Sequence, residues 1–220
     1  MRLQIAGKTH RGLIRQNNED FYLVYTKGDS KTTLAVVADG VGGNKGGDVA
    51  SRLAVETIVD FYKKNSKTNI LKEAFLRANA VILEKARIMG LDGMATTCTA
   101  VLIEAGRMQL AHAGDSRAYL LRRGDLVRLT SDHTLPGTNM LLNALGIKGD
   151  LYVEEHTLTI YEGDTILLCT DGLYRYFQSE ELEEDLKSKM SPQEIIDSLI
   201  EKALKAGGAD NITAILIQVK

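Results

Sequence analysis

Cysteine is scarce: the 220 residues carry only Cys98 and Cys169, each inside an apolar run. A disulfide framework needs more cysteines and a zinc site needs close pairs, so buried free thiols are expected instead. No Pro- or Ser-rich stretch divides the chain, and no repeat recurs at a fixed period. Positive charge is not in excess: the formal net charge is -2, which leaves little to follow a nucleic-acid backbone. No apolar run approaches the ~20 residues that span a bilayer, and the first residues lack the apolar stretch of a signal peptide. These absences lead to the expectation of a cytoplasmic protein without a membrane or nucleic-acid partner. No heptad seam argues for assembly, so a monomer is the default expectation.

What is present is the balance of an ordinary globular protein, 44% apolar and 25% charged. One domain over residues 1–220 is expected. Residues 33–38, 165–169 and 212–219 are apolar or alternating and read as strands. Residues 96–103 and 108–113 flank one turn at 105–107; residues 118–121 and 126–129 flank another at 122–125. Helical spacing marks 48–64 and 70–89, and Ser191-Pro192-Gln193-Glu194 reads as the start of a helix running to about Ala206. Hairpins imply antiparallel pairing, while the helices come in consecutive groups. The expected fold is α+β, a four-layer α-β-β-α sandwich of two antiparallel sheets flanked by helix pairs.

The aspartates carry the chemistry. Asp39, Asp171 and Asp210 each lie at the end of an apolar strand or just before one, and Gly follows the first two. Carboxylates at such edges cost desolvation unless a cation compensates, and all-oxygen ligation suits Mg²⁺ or Mn²⁺. A single Asp-Gly pair is also a good turn, so each one alone is ambiguous.

The ordered motifs remove that ambiguity. Residues 12–20 (Gly-Leu-Ile-Arg-Gln-Asn-Asn-Glu-Asp), Val37-Ala38-Asp39-Gly40-Val41-Gly42-Gly43, Ala95-Thr96-Thr97, Gly114-Asp115-Ser116-Arg117, Thr170-Asp171-Gly172 and Asp210-Asn211 follow one another along the chain. In this order the set resembles the protein phosphatase 2C family of metal-dependent serine/threonine phosphatases, particularly its compact bacterial members. The resemblance implies hydrolysis of phosphoserine and phosphothreonine in protein substrates, opposing a serine/threonine kinase. It implies two tightly bound divalent ions, Mn²⁺ or Mg²⁺, a third weaker one, and direct attack by a hydroxide held between the first two.

Residue by residue, Asp39 would bridge the two metals and the Gly40 carbonyl would reach the second. Asp171 and Asp210 would complete the first metal's shell, Glu19 would hold water on the second, and Asp20 would support that shell. Asp115 with Asp171 would form the third site, and Arg15 would grip the substrate phosphate. Asn211 would position Asp210 and its loop. Gly40, Gly42 and Gly43 would let backbone approach the metal.

Two departures stand out. Val41 occupies the place where many eukaryotic relatives have His, so the resemblance implies that water or a metal-bound water would protonate the leaving group. After Ser131-Asp132-His133-Thr134, residues 135–146 replace the longer flap usual in bacterial relatives, and a more open cleft is expected. His10 stands where relatives usually carry an acidic residue. His133 is a candidate for substrate contact, while His112 and His156 read as structural or surface groups.

Cys169 and Arg175 have the spacing of a cysteine-based phosphate loop, but Asp171 would place a carboxylate inside it and no His lies near to lower the thiol pKa. The glycines from 40 to 47 fail as a nucleotide loop, because Gly follows Lys45 where Ser or Thr is needed. A non-catalytic phosphoprotein-binding relative would have no need of all three aspartates.

Overall fold

The computed structural model describes residues 1–28, 32–41, 46–65 and 70–220. The expectations for Gly42 and Gly43 lie outside these residues. One sheet runs in the order β1 (Leu3–His10), β10 (Ile212–Val219), β9 (Thr165–Cys169), β6 (Arg117–Arg122), β7 (Asp125–Arg128). The other runs β2 (Asp20–Lys27), β3 (Thr32–Asp39), β4 (Cys98–Glu104), β5 (Arg107–Ala113), β8 (Glu154–Thr159). Every ladder pairing between these strands is antiparallel.

Strand alternation builds the layers. On β10, Ile215, Ile217 and Val219 point between the sheets, while Ile212, Ala214 and Leu216 point outward to the helices. On β3, Ala35 and Val37 point inward and Leu34, Val36 and Ala38 outward. Central strands are thus buried on both faces, which explains their continuous apolar runs. Each fully buried Val, Leu or Ile is worth about 1.5–3 kcal/mol relative to exposure.

Helices α1 (Gly47–Lys64) and α2 (Leu71–Met89) cover the second sheet. The first is covered by α5 (Pro192–Lys205) together with the short α3 (Asp171–Tyr174) and α4 (Ser179–Leu186). Helix α5 begins as expected, with Pro192 in its first turn and Ser191 and Glu194 capping each other reciprocally. The four-layer α-β-β-α arrangement is therefore present, with three helices rather than a pair on one face. Among the described residues no helix is long and apolar enough to cross a membrane.

The topology brings the strand ends carrying the aspartates to one edge. Asp39 closes β3 directly opposite Asp20, which opens β2. Asp171 follows β9 by two residues and Asp210 precedes β10 by two, and those strands are antiparallel neighbours. Asp171 begins a helix instead of closing a turn. Close backbone packing there requires Gly172: a Cβ at that position would lie 1.9 Å from the Asn211 carbonyl oxygen.

Candidate metal centre

A cavity of about 250 Å³ opens at this edge, lined by Arg15, Glu19, Asp39, Gly40, Asp115, Asp171 and Asp210 together with Val41, Thr97, Asn139, Leu141, Arg175 and Asn211. A larger cavity elsewhere, lined by residues such as Arg122, Tyr161 and Lys187, contains none of the motif residues. Of the described residues expected to hold metal or grip phosphate, Asp20 alone lies outside the cavity wall. It is buried below, its Oδ2 accepting hydrogen bonds from Thr170 (2.9 Å) and Thr213 (2.6 Å).

Backbone and hydroxyl contacts fix Asp39. Its N–H donates to Thr97 Oγ1 at 3.0 Å, and its carbonyl accepts from Thr96 Oγ1 at 2.8 Å and from the Thr97 N–H at 2.9 Å. The Thr97 hydroxyl in turn lies 2.6 Å from Ser116 Oγ, linking the motif of Asp115 to that of Asp39. Asn211 ties the two chain ends together: its Oδ1 accepts the Glu19 N–H at 2.8 Å, and its Nδ2 donates to the Arg11 and Asn17 carbonyls. Arg117 forms a bidentate pair with Asp132 and stacks 3.6 Å from the centre of the Tyr174 ring.

The electrostatics are one-sided. Five carboxylates line the cavity against the two guanidiniums of Arg15 and Arg175. Burial raises the Asp39 carboxyl well above its usual range, and repulsion from Asp20, Asp171, Asp115 and Asp210 adds to it. Burial likewise pushes Asp20 up to about 7, its two threonine hydrogen bonds opposing, and Asp115 up to about 6, with Asp171 adding repulsion. Asp171 and Glu19 are also raised, chiefly by burial. Two buried oxygens, Asp20 Oδ1 and Asp171 Oδ1, have no hydrogen-bond partner among the described residues. A cluster that repels itself and leaves buried carboxylate oxygens unsatisfied fits divalent cations with oxygen ligands.

Three cavity-lining residues, Arg175, Asn139 and Leu141, escaped the sequence reading. Arg175 enters the cavity because α3 is helical, which places it one turn after Asp171, and the two form an ion pair at 2.5 Å. The shortened segment folds back on itself through the Thr134–Leu141 bridge, and hydrogen bonds from Leu135 N–H to Met140 O and from Leu142 N–H to His133 O. It therefore supplies Asn139 and Leu141 to the cavity wall, so the short segment still shapes the cleft.

The histidines and cysteines lie elsewhere. His133 is absent from the cavity wall; its Nδ1 accepts from the Gly114 N–H and from Asn143 Nδ2. His112, His133 and Glu154 place possible ligand atoms within 4.8 Å of one another. Those atoms are engaged by Thr99, Gly114, Ser131, Asn143 and His156, so the cluster serves as hydrogen-bonded support. His10 Nδ1 accepts the Gly12 N–H at 2.9 Å and sits outside the cavity. Cys98 and Cys169 are fully buried, and burial drives both thiols upward, the opposite of what a thiolate nucleophile needs.

Residues 6–216 match the family model described as Protein phosphatase 2C. The chain belongs to the protein phosphatase 2C family. Members of this family are metal-dependent. The chain is 36% identical over 237 positions to the serine/threonine phosphatase stp of Listeria welshimeri, covering 96% of this chain and 94% of that one. That alignment is longer than the 220 residues here, so the relative carries additional residues. Among solved structures, the catalytic domain of the serine threonine protein phosphatase PstP in complex with two manganese ions superposes with a TM-score of 0.86 at 32% identity, covering 99% of each chain. PppA of Pseudomonas aeruginosa superposes at 0.88 with 29% identity, covering 100% of this chain and 99% of that one.

Proposed function

We propose that residues 1–220 form one catalytic domain that hydrolyses phosphoserine and phosphothreonine in proteins, opposing a serine/threonine kinase, at a centre of two divalent ions, Mn²⁺ or Mg²⁺. The observation that carries this reading is the carboxylate cluster with its unsatisfied buried oxygen on Asp171. Asp39, Asp171 and Asp210 would hold one ion; Asp39, Glu19 and the Gly40 carbonyl would hold the other, with Asp20 supporting from below. When bound, the ions supply Lewis acidity and a hydroxide near neutral pH.

The chain's own residues do the rest. Arg15 pairs with Asp210 at 2.8 Å, and its side chain is 40% exposed, so it can reach a phosphate at the cavity mouth. Its planar fork suits phosphate oxygens. Both Asp210 oxygens are engaged, Oδ1 by the Asn211 N–H and Oδ2 by Arg15. Asp210 would help to hold the cation, and Arg15, its ion-pair partner, would meet the substrate phosphate. Val41 offers no proton, which leaves water to protonate the departing seryl or threonyl oxygen.

The test is hydrolysis of p-nitrophenyl phosphate and a phosphothreonine peptide, with Mn²⁺ or EDTA, by the native chain, Asp171→Asn and Cys169→Ser. Activity that needs metal, is lost in Asp171→Asn and survives Cys169→Ser is expected. No metal-dependent hydrolysis of either substrate would overturn the reading in favour of a phosphoprotein-binding module.

A further inference from the structure

The two arginines of the cavity hold their carboxylates in different ways, and the difference assigns Arg175 a role. Asp171 keeps Oδ1 buried and unpartnered while Arg175 engages Oδ2. It can therefore bind a cation through Oδ1 without disturbing the arginine. Asp210 has no such spare oxygen. The tether differs too: Arg175 is four residues from Asp171 across α3, whereas Arg15 is 195 residues from Asp210 in sequence and sits in the loop before β2. Arg175 is thus held beside Asp171 by local helix geometry.

Arg175 shares the cavity wall with Asp115. Both line the same cavity as Asp171. The family resemblance implies Asp115 and Asp171 as the two carboxylates from which a third ion would draw its ligands.

Resting on the binuclear reading above, we propose that Arg175 is a built-in counter-ion that takes the place of a third metal ion between Asp171 and Asp115, so that this chain binds two divalent ions and no third. A guanidinium there supplies a fixed positive charge that neither dissociates nor depends on metal concentration, since it stays protonated at any working pH. Arg175 is a positioning residue in this role: it sets the direction of Asp171 Oδ2 and leaves Oδ1 to the metal pair.

Equilibrium dialysis against Mn²⁺, read by metal analysis, tests this without reference to turnover. The native chain is expected to saturate at two ions, Arg175→Gln to gain a third, weaker one, and Arg175→Gln/Asp115→Asn to return to two. Arg175→Lys, which keeps the charge, should stay at two, and Arg175→Met replaces the glutamine variant if circular dichroism shows that one unfolded. A native chain that binds three ions, falling to two in Asp115→Asn, overturns the proposal. So does a stoichiometry of two in Arg175→Gln, in which case weaker inhibition by inorganic phosphate would make Arg175 a phosphate ligand. A native chain that binds no Mn²⁺ would instead sink the binuclear reading itself.

Discussion

The side-chain carbonyl of Asn211 accepts the backbone N–H of Glu19 at 2.8 Å, joining residues 192 apart in the sequence. The same side chain donates to two backbone carbonyls, and Asn211 is 4% exposed, so all three bonds are sheltered from water. Leaving such groups unpaired costs about 1–3 kcal/mol each. Asn211→Ala should lower stability by roughly that amount and weaken Mn²⁺ binding by ~10–100-fold, as loss of an outer partner does. Asn211→Asp should be worse, because a carboxylate would face the carbonyls of Arg11 and Asn17. Urea unfolding and Mn²⁺ titration of both variants check this; equal effects would refute the carbonyl argument.

Asp20 and Asp39 oppose each other across the β2–β3 ladder, where like charges destabilise. Both carboxyls are raised, mainly by burial, Asp20 to about 7. A carboxyl raised in the folded state contributes stability that is present below its unfolded value and lost as pH rises through the folded one. In EDTA the native chain should therefore lose stability relative to Asp39→Asn as pH rises above the usual carboxylate range. The gap in Tm between the two should widen as pH rises. Mn²⁺ should reverse the order at pH 7.5 by raising only the native Tm. A native chain that melts no lower than Asp39→Asn in EDTA at pH 7.5 would contradict this account.

What the sequence revealed depended on how buried each element is. Strands β3, β9 and β10 are apolar on both faces and were legible as runs, and so were the aspartates at their ends. The three strands that were missed, β1, β2 and β8, all lie at sheet edges, where polar residues such as Lys8, Lys27 and Glu155 break the pattern. Helix α4 was missed because six of its eight residues are polar or acidic, with only Leu182 and Leu186 buried. Arg15, Glu19 and Asp115 came from the ordered motifs, since nothing in their local spacing points to a shared cavity. Arg175 was illegible as a site residue for one reason: its position depends on Asp171 opening a helical turn.

His112 is fully buried, its Nε2 shared between the Gly114 and Ser131 carbonyls at 3.0 Å. Burial first, and His133 second, lower its pKa to about 4. A histidine kept neutral when folded takes up its proton only on unfolding, so its stability contribution is full above about pH 6.5 and is lost as pH falls toward 4. The loss should approach ~3 kcal/mol, about two and a half pKa units at 1.36 kcal/mol each. Imidazole NMR titration should place His112 near 4; a midpoint above 6 would remove this contribution.

Arg117 joins three parts of the site support. Its Nε and Nη2 donate to the two oxygens of Asp132 at 3.0 and 2.7 Å, and its guanidinium stacks on Tyr174 of α3, the helix that carries Asp171. It also follows Asp115 by two residues. Lysine can offer neither the planar fork nor the flat face, so Arg117→Lys keeps the charge but loses both contacts. The partly buried pair and the stack together should be worth about 2 kcal/mol. Because Tyr174 adjoins Arg175, the looser α3 should also lower kcat more than it raises KM for a phosphothreonine peptide. Stability and kinetics measured together decide the point: an unchanged kcat with reduced Tm would confine Arg117 to folding.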